Sequence, residues 1–446
     1  MQNTSREQRD LESILKSDGR HKGFCEMRRR EQASLASFVC SVLFLLSPSL
    51  LPAQNKNSCL DCHSQLPAPF HVDPEEYLQS IHAQKQITCV SCHGGDPTTD
   101  DLEKAMSAAA GFKGPVERKQ IPPFCAKCHA DAAYIRGFDP SLRTDQYAQY
   151  LTSIHGQRLA KGDDKVAVCV DCHGSHGIQP PNDPRSSVYP TRVAKTCGAC
   201  HANAEHMKPY KIPTNQLALY TTSVHYQALV ERGDLSAPTC STCHGSHGAA
   251  PPGVKSVVNV CSTCHVFQAE LFDASPHKVF DSLGLPGCVT CHSNHGIQHP
   301  TDTWISTAQG SVCLKCHSTG EPGSDAAAKI HTQLVKLDSS IARSKDTLDR
   351  AEQAGVEIGQ AQLELDQARD YLTKARVSIH SVDFTKVDEN VQAGLRVTDA
   401  TYRAGQDALS EASYRRKGLF ISLALSLIVL LGLALLIRKI ESPPPD

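Results

Sequence analysis

Between residues 59 and 317 one pentad recurs nine times: two cysteines two residues apart, with a histidine directly after the second. The first five are Cys59-Cys62-His63, Cys89-Cys92-His93, Cys125-Cys128-His129, Cys169-Cys172-His173 and Cys197-Cys200-His201. The other four are Cys240-Cys243-His244, Cys261-Cys264-His265, Cys288-Cys291-His292 and Cys313-Cys316-His317. They take 18 of the 20 cysteines, and the remaining two, Cys25 and Cys40, lie upstream of the first pentad. Structural zinc would explain paired cysteines but not a histidine after every second one. A disulfide framework does not need one tight, repeated spacing, and redox dithiols do not come nine to a chain.

The pentad is the attachment signature of c-type haem. Two thioethers fix the porphyrin, and the adjacent imidazole lies under the iron as proximal ligand. The motifs predict nine covalent haems, with the nine pentad histidines as proximal ligands. Composition agrees. Only 5% of the chain is aromatic, Trp304 is its single tryptophan, and 40% is apolar, which is thin for a polypeptide core. Haem would supply that core, so short helices and loops wrapped around cofactors are expected, and no folding without them. A formal net charge of −2 argues against a nucleic-acid partner.

The motifs form a larger repeat: Ser-x-His, a pentad, then a second pentad. The Ser-x-His histidines are His82, His155, His225 and His277. In three units the first pentad carries another histidine three residues on: His176, His247 and His295. The first unit instead reads His93-Gly94-Gly95-Asp96. There are thus four two-haem units and one leading haem at Cys59. A histidine three residues beyond the proximal one cannot easily reach round its own porphyrin, so these three are expected to serve neighbouring haems. Downstream, His331 and the His380 of Ser378-Ile379-His380 complete nine candidate distal ligands, and His71, His206 and His299 remain as substitutes. Past the proposed leader the only methionines are Met106 and Met207, so at most two haems are His/Met. Bis-histidine ligation and mostly low potentials follow.

Two segments address a membrane. Arg28-Arg29-Arg30, an apolar run over Leu35–Leu51 and Leu51-Pro52-Ala53 read as a secretory leader, residues 1–53, cleaved before Gln54. Residues 1–26 are polar and aperiodic, and Met27 is a candidate true start. Gly418 to Ile437 is 20 residues without a charge, flanked by Arg415, Arg416 and Lys417 before and Arg438 and Lys439 after. At 1.5 Å per residue it spans about 30 Å, a bilayer's hydrocarbon thickness. With the export signal, this predicts a single-pass anchor over 415–439, a cytoplasmic tail over 440–446, and the body on the periplasmic side of the cytoplasmic membrane. Between haems and anchor, residues 321–414 lack cysteine and read as helix. Ile330, Leu334, Leu337, Ile341 and Leu348 form one stripe. Gly355 and Gly359 mark a break. Leu365, Ala368, Leu372, Ala375 and Ile379 form a second stripe, and Val387, Val391, Leu395, Tyr402 and Leu409 a third. The fold expected is mainly α with much irregular structure: a nine-haem domain over 54–320, a helical hairpin or bundle, and one C-terminal transmembrane helix.

The nine pentads, and above all His173-Gly-Ser-His-Gly177 and His244-Gly-Ser-His-Gly248, resemble the cytochrome c3-like, doubled-CxxCH multihaem c-type cytochromes over about residues 59–317. A more distant similarity is to the quinol-linked NapC/NirT type, whose anchor is usually N-terminal. The resemblance implies an electron-transfer protein rather than a catalyst, on the outer face of the cytoplasmic membrane in anaerobic respiration. Its expected partners are a quinol-oxidising or cytochrome b-type donor and a periplasmic or outer-membrane acceptor. Two alternatives stand beside it: a reductase or oxidase of nitrogen or sulfur oxyanions with one open haem, and a haem subunit of a larger respiratory complex.

Overall fold

The computed structural model describes residues 57–441 except 252, 253 and 255. The leader over 1–53, Met27, Cys25, Cys40 and residues 442–446 of the tail lie outside the described residues. The described chain is mainly helical and contains no strand.

Up to residue 317 the helices are short, and the pentads explain why. Cys89–His93, Cys169–His173, Cys240–His244 and Cys288–His292 are each a single turn of helix. In three of them the side chain before the second cysteine closes the turn by accepting from the backbone N–H just ahead of the helix: Ser91 from Thr88 (3.2 Å), Asp171 from Val168 (2.7 Å) and Thr242 from Thr239 (3.1 Å). The residue after the proximal histidine then turns left-handed: Gly94, Gly174, Gly245 and Ser293 have φ of 68°, 76°, 81° and 64°. At Gly94 a Cβ would also sit 2.0 Å from the Gly111 carbonyl oxygen, so only glycine fits there. Two second pentads instead end longer helices, Ile121–His129 and Pro190–His201, and the other two lie in 3-10 turns, Val257–Thr263 and Cys313–Lys315. Apolar packing in this region is sparse, with one small cluster of Leu159, Val166 and Val168.

The main apolar core lies downstream, in three long helices: α1 (Pro322–Gln353), α2 (Gly359–Ser378) and α3 (Phe384–Glu441). They form an up-down-up bundle. Buried residues step by four and three along all three: Ile330, Leu334, Leu337, Ile341, Ser344, Leu348 and Ala351 on α1, Ala361 to Ala375 on α2, Val387 to Ala412 on α3. That is a heptad seam. The third stripe differs from the expected one. Beyond Val391 the buried positions are Gly394, Thr398, Thr401, Gly405, Ala408 and Ala412, with Leu395 and Leu409 at the edge. Small residues let α1 come close: a Cβ on Gly394 would lie 2.8 Å from both methyls of Leu337. The helix also ends one residue earlier than the second stripe implies, because Ile379 to Ser381 tighten into a 3-10 turn before left-handed Val382.

The haem-motif region packs on the top of this bundle. Helix Val266–Asp273 touches α2 and the turn at 379–381, and the 3-10 turns at Asp302–Ile305 and Cys313–Lys315 touch α1. Arg376 of α2 donates to Asp302 through Nε (2.9 Å) and Nη2 (2.8 Å). From Gly418 onward α3 is apolar, and its most apolar stretch is wholly exposed, with a mean hydropathy of 2.9, so it is long and apolar enough to cross a membrane.

Candidate haem-binding sites

All four Ser-x-His serines do the same thing. Ser80, Ser153, Ser223 and Ser275 are buried, extended N-caps whose hydroxyls accept from Ala83, Gly156, Tyr226 and His277 N–H at 3.0–3.2 Å. The cap fixes the histidine two positions on, in the first turn of its helix. The recurring tripeptide is therefore a device for aiming an imidazole.

The structure brings eight of the nine candidate distal histidines beside a pentad histidine. The Ser-x-His rings face second pentads of their own unit: His82–His129 at 6.0 Å between ring centroids, His155–His201 at 6.1 Å, His225–His265 at 6.3 Å and His277–His317 at 6.2 Å. The histidines three residues beyond a pentad face the first pentad of the preceding unit: His176–His93 at 6.4 Å, His247–His173 at 6.1 Å and His295–His244 at 5.8 Å. His380, from the turn between α2 and α3, faces His292 at 6.0 Å.

These rings are too far apart to stack on each other. A metal–nitrogen bond of about 2 Å on either side of one iron, plus about 1 Å from nitrogen to ring centre, puts opposed imidazole centroids roughly 6 Å apart. Among the described residues no group of three or more His, Cys, Asp or Glu is arranged to hold a bare metal ion. Two axial nitrogens and two nearby thiols are what an iron already held by a porphyrin requires, so the donor set fits haem c. Protonation fits as well. Burial lowers the pKa of twelve of the sixteen paired imidazoles, and it is the first cause at each. His173 is brought down to about 4, by burial and then by His247 and His129. A neutral imidazole keeps the lone pair that binds a metal. In His380 Nδ1 lies 2.9 Å from the Val377 carbonyl oxygen, and in His93 it lies 3.3 Å from that of Gly114. With the proton on Nδ1, Nε2 is free for ligation.

Consecutive motifs also touch in sequence order. Cys125 lies beside Cys169, Cys197 beside Cys240 and Cys261 beside Cys288. Asn57 Nδ2 donates to Cys89 Sγ at 3.7 Å. The motifs thus form a string.

Residues 277–321 match the doubled CXXCH motif family. That match supports a multihaem c-type cytochrome carrying covalent haem c, a class that transfers electrons. No curated protein matches the chain, and no solved structure does.

The remaining candidates are not brought together. His63 is half-buried, its Nδ1 2.8 Å from the Phe70 carbonyl oxygen; among the described residues His176 is near enough to feel its charge, but the His176 ring faces His93. His331 is half-buried on α1 with no ring partner among the described residues. His71 turns Nδ1 to the Leu66 carbonyl oxygen at 3.2 Å, His206 lies near Tyr210, and His299 is exposed. Met207 is buried and Met106 about a third exposed. Two features near His292 have no motif: Trp304, 5.7 Å from its ring, and the Arg376–Asp302 pair that ties the bundle to the same segment.

Proposed function

We propose that this chain is a membrane-anchored nonahaem c-type cytochrome that conducts electrons along a string of bis-histidine haems outside the cytoplasmic membrane. The observation that carries this reading is the set of eight histidine pairs at roughly 6 Å, each joining a pentad histidine to a ring from elsewhere in the chain. When bound, each haem iron supplies reversible one-electron oxidation and reduction. The chain's own residues do the rest. The eighteen pentad cysteines would hold the porphyrins, and the nine pentad histidines together with His82, His155, His176, His225, His247, His277, His295 and His380 would ligate the irons. Burial keeps most of these rings neutral and lowers the local dielectric, which favours the less charged oxidation state. No side chain needs to move a proton.

The regions follow the same plan: leader over 1–53, haems over 54–320, stalk over 321–414 and anchor over 415–439. In this reading the donor is a quinol-oxidising or cytochrome b-type membrane partner, as for the NapC/NirT type, and the acceptor is periplasmic or in the outer membrane. The whole would serve anaerobic respiration. The detergent-solubilised chain should give nine haems per polypeptide by pyridine haemochrome assay and low-spin spectra for at least eight. Fewer than eight, or mostly high-spin iron, refutes the conduit.

A further inference from the structure

The pairing follows a rule, and the rule has two ends. Each Ser-x-His serves the second pentad of its own unit. Each histidine three residues past a first pentad serves the first pentad of the unit before. A finite array built this way leaves one first-type pentad unserved at its C-terminal end, and a second-type pentad standing alone ahead of the first unit has no Ser-x-His of its own. At the C-terminal end the orphan is His292, and the bundle supplies His380.

At the N-terminal end the orphan is His63. It directly precedes the Ser80–His82 element, as His129, His201 and His265 precede theirs, so it is a second-type pentad. A Ser-x-His histidine stands 40 to 47 residues before the pentad histidine it serves. For His63 that window is residues 16–23, inside the proposed leader; it holds one histidine, His21, which is not in a Ser-x-His and would leave with the leader. Asp96 fits the same rule. It occupies the position of His176, His247 and His295, but no first-type pentad precedes its unit, so there is no ring for it to face. Around His63, Nδ1 is directed to the Phe70 carbonyl, which orients Nε2 for a proximal role. The adjoining loop is exposed, with Phe70 59% accessible.

We infer that the iron held by Cys59, Cys62 and His63 has no histidine opposite it and is the one site in the array that takes a small exogenous ligand. The ligand class is a neutral diatomic such as carbon monoxide on the ferrous iron, or a small anion such as cyanide or nitrite on the ferric. Its lone pair would take the position opposite His63, filling an open position on the ferrous iron or displacing water from the ferric. The inference rests on the haem reading above, and the two fail differently.

The test is carbon monoxide titration of the dithionite-reduced full-length protein in detergent, beside a haem count and an electron paramagnetic resonance spectrum of the oxidised form. The expected result is nine haems, one carbon monoxide per chain and a single high-spin ferric haem abolished by cyanide. Cys59→Ala/Cys62→Ala should give eight haems and no carbon monoxide binding, and His71→Ala should change neither. Nine haems with no binding overturns the inference while leaving the conduit intact. So does binding retained in the eight-haem variant, or binding that appears only in His71→Ala, which would make His71 the sixth ligand. If the double variant does not accumulate, the wild-type stoichiometry and His71→Ala still decide. A wild-type count below eight refutes the haem reading, and the inference with it.

Discussion

Replacing His380 by alanine should open one specific iron without disturbing the helices that carry it. The ring lies 6.0 Å from His292, tilted by 14°, at a three-residue turn pinned between α2 and α3 by buried Ser381 and left-handed Val382. It takes no part in the apolar seam of the bundle. His380→Ala should therefore change bundle stability by less than about 1 kcal/mol, yet convert one low-spin haem to high-spin and raise carbon monoxide uptake by one per chain. The neighbouring Arg376→Ala supplies a graded comparison. Its two hydrogen bonds to Asp302, at 2.9 and 2.8 Å, hold the bundle to the His292 segment. The arginine side chain is 44% exposed, so the pair is discounted for solvent screening to about 1 kcal/mol. That is about a fivefold shift toward an undocked turn, enough to speed carbon monoxide binding at His292 but not to make it stoichiometric. The readouts are Soret-band carbon monoxide titration and low-temperature resonance spectra, with denaturant unfolding by far-UV circular dichroism as the control. Unchanged uptake and an unchanged low-spin count in His380→Ala would show that His380 is not opposite His292.

Further outcomes follow from other parts of the molecule. Ser153→Ala removes the cap that aims His155 (Oγ accepting from Gly156 N–H at 3.0 Å) and should cost about 1 kcal/mol, seen as a lower temperature for loss of one low-spin haem. Thr398 and Ser340 share a buried 2.8 Å hydrogen bond between α3 and α1. Thr398→Val and Ser340→Ala should each destabilise the bundle by about 1–3 kcal/mol, and the double variant by clearly less than their sum. Additive costs in the denaturant cycle would mean the hydroxyls do not interact. The oxidised protein should show two families of low-spin signal, since the angle between axial imidazole planes sets the iron orbital splitting. Three pairs are near-parallel at 5°, 12° and 14°, and the other five are tilted by 36° to 57°. A single homogeneous family would contradict these angles.

Much of this was legible in the sequence because covalent haem attachment is written locally. The pentads, the recurring Ser-x-His and the three helices with their Gly355 break are all short-range patterns. That His176, His247 and His295 turn to pentads other than their own was expected from reach alone. Which haem each one serves did not, because the pairs join residues such as His93 and His176 or His292 and His380, far apart in the chain with nothing local to mark them. The seam of α3 was misread for a different reason. Hydrophobic periodicity favours Leu395, Tyr402 and Leu409, whereas close approach of α1 selects Gly394, Thr398 and Gly405, which carry almost no apolar signal. His331 shows the converse. A ninth histidine completed a tally of ligands, but it lies along α1 rather than beside a pentad.

The unbroken length of α3 sets a scale for the whole machine. The turn between α1 and α2 lies at the level of Leu409 to Phe420, where Ala354 lines a shallow cleft with Arg416 and Lys417. His380 sits at the opposite end, and from Phe384 to Gly418 the helix runs about 50 Å. With Gly418–Ile437 in a bilayer and the stalk upright, His380 would stand about 50 Å above the edge of the hydrocarbon core. In the proposed reading, a quinol in the membrane would then lie beyond electron-tunnelling range of the haem proposed between His292 and His380. In that reading the stalk would act as a mast, and a membrane donor would have to raise its own redox centre to that height to meet it.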